Sequence, residues 1–177
     1  GNKIAADQGA VDKMRSELNK IDMVGTVVIG EGEMDEAPML FIGEKVGTGK
    51  GLQLDIALDP LEGTNFTAKN LPGAFSVLVV AEKGNLLSAP DTYMEKIVIG
   101  SNLPKNLLDL DNSIKTNINL LSKAKNKPVS ELSACVLNRP RHKEIVDTLN
   151  KLNVKINFIT DGDIAGALSV VGENPKN

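Results

Sequence analysis

Ala10, Val11, Met14 and Leu18 recur at helical spacing, predicting an amphipathic helix over 5–20. Val24 to Ile29 (Val-Gly-Thr-Val-Val-Ile) is β-branched and predicts a buried strand. Leu52, Leu54, Ile56 and Leu58 alternate with other residues, the period of a second strand. Phe75 to Ala81 predicts a third, and Gly84-Asn85 a hairpin turn into Leu86-Leu87-Ser88-Ala89. Met94 to Ile99 is a further strand candidate. The first hundred residues therefore predict a helix followed by a mostly antiparallel sheet.

The pattern then changes. Gly100 to Asn112 is polar and irregular, a linker or a long crossover. Ser113 is placed to cap a helix carrying Ile114, Ile118 and Leu121. A strand over Ser133–Leu137, a helix over His142–Leu152 and a strand over Lys155–Thr160 follow, and Asp161-Gly162-Asp163 opens a short apolar helix through Val171. Strand–helix–strand–helix is the grammar of a parallel α/β layer, which binds ligands beyond the carboxyl ends of its strands. The expectation is an α/β layered chain in two domains, 1–100 and 101–177.

Candidate chemistry concentrates in Asp55-Ile-Ala-Leu-Asp-Pro-Leu-Glu-Gly-Thr64. Pro60 cannot donate to a ladder, so the strand is expected to turn there. Asp59 and Glu62 would then lie close together, with the Gly63 amide and the Thr64 hydroxyl beside them. Converging carboxylates repel unless a cation or proton lies between them. Hard oxygen ligands suit Mg²⁺ or Mn²⁺, and a turn opening a helix offers N–H groups to phosphate. The plainer reading is an Asp-Pro turn with Glu62 in a helix's first turn. A second acidic cluster, Gly30-Glu31-Gly32-Glu33-Met34-Asp35-Glu36, ends the first strand. Charge runs are usually solvated loops. Here glycines flank Glu31, and the apolar strand before it would aim Glu31 inward, near Asp59.

Other segments are less specific. Gly47-Thr48-Gly49-Lys50-Gly51 lacks phosphate-loop spacing and reads as a flexible turn. Arg139-Pro140-Arg141 is either a solvated turn at a helix start or a pair of guanidinium forks for a distal phosphate. His142, the only histidine, receives no role. Asp161-Gly162-Asp163 is a turn with an Asp cap or an acceptor of sugar hydroxyls. Over 177 residues, the formal charge of −3 and 3% aromatic content exclude a nucleic-acid phosphate binder and require an aliphatic core. No run has transmembrane length and no signal peptide is evident, so the membrane is excluded and a cytoplasmic setting is expected. Cys135 is alone and reads as a small core hydrophobe. A chain starting at Gly1 and ending at Asn177 is expected to be a fragment or only partly ordered.

Taken in order, segments 30–44, 55–64, Ala-Pro-Asp-Thr-Tyr-Met-Glu-Lys (89–96), Arg-Pro-Arg-His (139–142) and Asp-Gly-Asp (161–163) closely resemble the class II, bacterial-type fructose-1,6-bisphosphatases. These belong to the metal-dependent sugar and inositol phosphatases. The resemblance implies the sugar-phosphatase sandwich of alternating helix and sheet layers. It also implies Mg²⁺- or Mn²⁺-dependent hydrolysis of the 1-phosphate of fructose 1,6-bisphosphate in gluconeogenesis, by a homo-oligomer. Residue by residue, Asp7 and Glu31 match ligands of one metal, and Asp59 and Glu62 ligands of the second. Lys3 and Asp35 match residues near the reacting phosphate, and Thr64 the hydroxyl that positions the attacking water. Glu62, Gly63, Thr64, Tyr93, Arg139, Pro140, Arg141, Asp161, Gly162 and Asp163 match substrate contacts. Members are close to twice this long, with a further metal-ligating Glu in the part this sequence lacks. The rival readings are a sedoheptulose-bisphosphate, inositol-phosphate or nucleotide-bisphosphate phosphatase of the same superfamily, or a non-catalytic binder of sugar phosphate or metal.

Overall fold

The computed structural model describes residues 1–31, 39–87 and 92–171. It divides into two compact units, Gly1–Thr92 and the chain from Tyr93 onward. In the first unit, helix α1 (Lys3–Leu18) begins at Asn2, whose side chain accepts the Ala5 amide at 3.3 Å. Its buried residues, Val11 and Leu18, lie on one side, as the helical spacing requires. Strand β1 (Met23–Ile29) pairs with the two-residue β2 (Lys45–Val46) on one side and with β3 (Leu52–Glu62) on the other. The short helix α2 (Thr64–Ala68) leads to β4 (Phe75–Glu82), giving the order β2-β1-β3-β4. Val11, Leu18, Met23, Val27, Leu40, Val46, Ile56 and Leu58 form the core, aliphatic as the scarcity of aromatics demanded.

The sheet is mostly antiparallel as expected, and two local expectations are corrected. Among the described residues of this unit, two of the three strand pairings are antiparallel, and the central one, β1 with β3, is parallel from Met23↔Leu52 to Ile29↔Ala57. The long connection between β1 and β3 lets the chain return to the edge where β1 began, as a parallel pair requires. First, β3 does not turn at Pro60. It continues to Glu62, and its register with β4 slips between Asp59↔Val77 and Glu62↔Phe75. Pro60 sits in that irregularity, where no ladder N–H is needed, and the Asp59 carboxylate accepts the Leu61 amide at 3.0 Å. The turn comes at Gly63, in the left-handed region at φ 81° and ψ 43°. Second, Gly84 does turn after β4, its amide donating to the buried Asp55 carboxylate at 2.7 Å, but Leu86 and Leu87 form no returning strand. Ser88 and Ala89 lie outside the described residues.

In the second unit, Met94–Ile99 is not a strand. Its segment is tied through side chains instead, Tyr93 to Arg141 and Lys96 to Asp163. Ser113 caps α3 (Ile114–Lys125) as expected, its hydroxyl accepting the Thr116 amide at 3.1 Å. Strands β5 (Ser133–Leu137) and β6 (Lys155–Ile159) pair in parallel, joined through α4 (Lys143–Lys151), and α5 (Asp163–Val171) follows β6. Leu132, Leu149 and Val154 are buried, with Ile114, Ile118, Leu121, Val136 and Ile156 packed around them. Cys135 is not a core residue. Its neighbours Ala134 and Val136 face that cluster, so alternation along β5 puts Cys135 on the opposite face, where the residue is exposed although its sulfur lies near Gly166 of α5. Helices and sheets are thus layered within each unit.

Ile56 is fully buried at the centre of the first core, whereas Leu87 is 79% exposed. Ile56→Ala is expected to cost about 2–5 kcal/mol in denaturant unfolding, and Leu87→Ala within about 0.5 kcal/mol.

A candidate metal and phosphate site

Parallel pairing puts the carboxyl ends of β1 and β3 at one edge of the sheet, so Glu31, two residues past β1, and Asp59 in β3 emerge together. Gly30 makes the close approach possible: a Cβ there would lie 2.3 Å from the Leu40 carbonyl oxygen. That carbonyl accepts the Glu31 amide at 3.1 Å. Helix α1 packs on β3 and α2 and brings Asp7 to the same place. Burial, then the negative charges of Asp7 and Asp59, pushes the Glu31 carboxyl from an ordinary 4.5 up to about 7. Its Oε2 is shielded from solvent and has no hydrogen-bond donor among the described residues. Glu62, at the end of β3, is only 9% exposed.

Three carboxylates from three elements, one with a buried, unsatisfied oxygen, form a donor set that fits a hard divalent cation. Among the described residues, no three acidic, histidine or cysteine side chains draw in closely enough to chelate an ion as they stand. Lys3 is one turn before Asp7 on the same helix face and is exposed. The Thr64 hydroxyl donates to the Leu61 carbonyl at 3.1 Å, which leaves its lone pairs available as acceptors. Asp35 lies outside the described residues.

The second unit gathers a separate cluster at the carboxyl ends of β5 and β6. Arg139 Nη2 lies 3.8 Å from Asp161 Oδ1, the Arg141 guanidinium stacks 4.3 Å above the centre of the Tyr93 ring, and Lys96 pairs with Asp163. Pro140 opens a single 3₁₀ turn, Pro140–His142, that displays both arginines. Gly162 takes the left-handed conformation at φ 73° between the two aspartates. His142 is half-buried, its Nδ1 2.7 Å from the Leu137 carbonyl, so it serves the strand end. Lys96 was missed in the sequence pattern, although it closes the Ala-Pro-Asp-Thr-Tyr-Met-Glu-Lys motif.

A model of the family described as bacterial fructose-1,6-bisphosphatase, glpX-encoded, matches residues 1–176. The chain belongs to that family. Among its curated relatives, the Escherichia coli (strain K12) protein named fructose-1,6-bisphosphatase 1 class 2 is 47% identical over 168 residues, covering 95% of this chain and 50% of that protein. The Haemophilus influenzae fructose-1,6-bisphosphatase class 2 is 46% identical over the same shares. A Synechococcus elongatus protein is 41% identical over 181 residues, 96% of this chain and 52% of its own, and is named a D-fructose 1,6-bisphosphatase class 2/sedoheptulose 1,7-bisphosphatase. The chain spans about half the length of the curated relatives it matches. Among its described residues, no helix is long and apolar enough to cross a membrane.

The raised Glu31 carboxyl fixes the sign of one pH effect. Between about 4.5 and 7 the unfolded chain has released this proton while the folded chain still holds it. Folding stability therefore falls as pH rises through that window. Measured without metal, Glu31→Gln is expected to flatten this slope; an unchanged slope would show that Glu31 titrates normally.

Proposed function

We propose that the protein containing this chain hydrolyses the 1-phosphate of fructose 1,6-bisphosphate, giving fructose 6-phosphate and phosphate, in gluconeogenesis. The observation that carries this reading is the convergence of Asp7, Glu31 and Asp59 at one sheet edge, in a chain of the bacterial fructose-1,6-bisphosphatase family. Asp7, Glu31, Asp59 and Glu62 would hold Mg²⁺ or Mn²⁺. When bound, such an ion supplies Lewis acidity toward phosphate oxygens and lowers the pKa of a water. Thr64, with Asp35, orients the attacking water, and Lys3 offers positive charge toward the reacting phosphate. Gly63 and Thr64 offer backbone N–H groups to the substrate.

Arg139 and Arg141 hold the distal phosphate, with Pro140 fixing their spacing. Tyr93, Asp161, Gly162 and Asp163 contact the sugar. The metal machinery lies in a domain over 1–100 and the substrate-binding part begins in 101–177. Such an enzyme works in the cytoplasm as a homo-oligomer. A second substrate, sedoheptulose 1,7-bisphosphate, is favoured by the name of the Synechococcus relative.

Metal-dependent phosphate release by the full-length protein, assayed on fructose 1,6-bisphosphate, sedoheptulose 1,7-bisphosphate and inositol phosphate, tests the reading. Fructose 1,6-bisphosphate should be cleaved, and cleavage should stop when chelator removes the metal. No release from any of the three leaves a non-catalytic binder. Asp59→Ala or Glu62→Ala should lower kcat by roughly 10²-fold or more, the scale for losing one electrostatic stabiliser of the transition state. Arg139→Ala or Arg141→Ala should instead raise KM by about 10- to 100-fold, as expected for one charged hydrogen bond. An unchanged KM would remove the distal-phosphate role.

A further inference from the structure

Arg15 lies about two turns beyond Asp7 on α1 and reaches across to the segment that follows the acidic loop. Its Nε donates to Glu44 Oε1 at 2.6 Å, and its Nη2 donates to Glu44 Oε2 at 3.1 Å and to the Met39 carbonyl at 2.6 Å. Glu44 Oε2 also accepts the Phe41 amide at 3.2 Å. The two side chains are only 26% and 12% exposed. Between the two tied positions, Leu40 is completely buried, and its carbonyl receives the Glu31 amide. Described residues thus form an unbroken line from α1, through the guanidinium fork, to the backbone that presents Glu31.

Exposed ion pairs such as Lys13–Glu17, whose carboxylate Lys20 shares, contribute little and fix no geometry. The Arg15 fork differs because it is planar, bidentate and shared with a backbone carbonyl, so it specifies direction as well as charge. As stabilisation alone it would be a poor device, since apolar packing often serves a covered site at least as well.

We propose that Arg15 and Glu44 are positioning residues for the candidate metal site. They set the backbone at 39–41, which through the Leu40 carbonyl sets where Glu31 presents its carboxylate to a divalent cation. This inference rests on the metal-binding reading given above and extends it to residues that touch neither metal nor substrate.

The test is Mn²⁺ affinity of the full-length protein, read from the electron paramagnetic resonance of free Mn²⁺, alongside hydrogen exchange at the Glu31 amide. Arg15→Met is expected to weaken Mn²⁺ binding roughly tenfold, the low end for groups that orient metal ligands. It should also speed exchange at Glu31. Arg15→Lys, which keeps charge but loses the fork, should behave in the same direction, while Lys13→Met should change neither readout. Should Arg15→Met fail to fold, Arg15→Lys and Glu44→Gln carry the test. Wild-type Mn²⁺ affinity in Arg15→Lys and Glu44→Gln overturns the positioning role, as does equal weakening by Lys13→Met. Wild-type binding that Asp59→Asn abolishes keeps the metal reading standing on its own. A wild-type protein that binds no Mn²⁺ overturns both.

Discussion

The parallel pairing of β1 with β3 is the constraint on which the candidate site depends. In an antiparallel pair the end of β1 would lie at the opposite edge of the sheet from the end of β3. Glu31 and Asp59 would then be separated by the length of the strands. Parallel pairing sends both chain segments out at one edge, and α1, packed on β3, adds Asp7 there. A parallel pair needs a long return path, and the segment between the strands supplies one that also carries the acidic cluster. The connection that makes the topology possible is the same segment that supplies much of its charge.

Holding acids together without a counter-charge is costly, and the protein shows that cost in the Glu31 carboxyl, which keeps its proton up to about 7. Burial is the larger cause, and neighbouring carboxylates the smaller. A group arranged this way is destabilised as an anion until something positive arrives. Much of its environment is built from backbone: the Leu40 carbonyl on its amide, and a Gly30 position that admits no side chain.

Most elements were legible because their periodicities were clear. The α1, β1, β4, α3, β5 and β6 segments follow the helical or alternating patterns that local sterics impose. What was not legible depends on contacts distant in sequence. Nothing in Val24–Ile29 says whether its partner runs with it or against it. Pro60 looked like a strand end because its missing N–H forbids a regular ladder; a slip in register removes the need for that donor. Cys135 sits in an apolar run, but only the position of the other layer decides which face of a two-stranded sheet is covered. Among the candidate residues, the acids stood out through their motifs. Arg15 and Glu44 did not, because a pair 29 residues apart leaves no local signature.

The second unit brings cations and their partners together at its strand ends. Arg139, Arg141 and Lys96 are each matched, to Asp161, to the Tyr93 ring and to Asp163. These are weak restraints. The Arg139–Asp161 separation of 3.8 Å is long for a hydrogen bond, so this pair fixes direction only loosely. A face of an aromatic ring orients a guanidinium while leaving its N–H groups, which lie at its rim, able to donate. Each cation is therefore aimed but not used up. On the proposed distal-phosphate reading, a phosphate at the strand ends would displace one long contact or add to a stacked one. The contrast with Arg15 follows from the same reasoning. There the fork is saturated by Glu44 and a backbone carbonyl and largely covered, which unfits it for ligand and fits it to hold backbone.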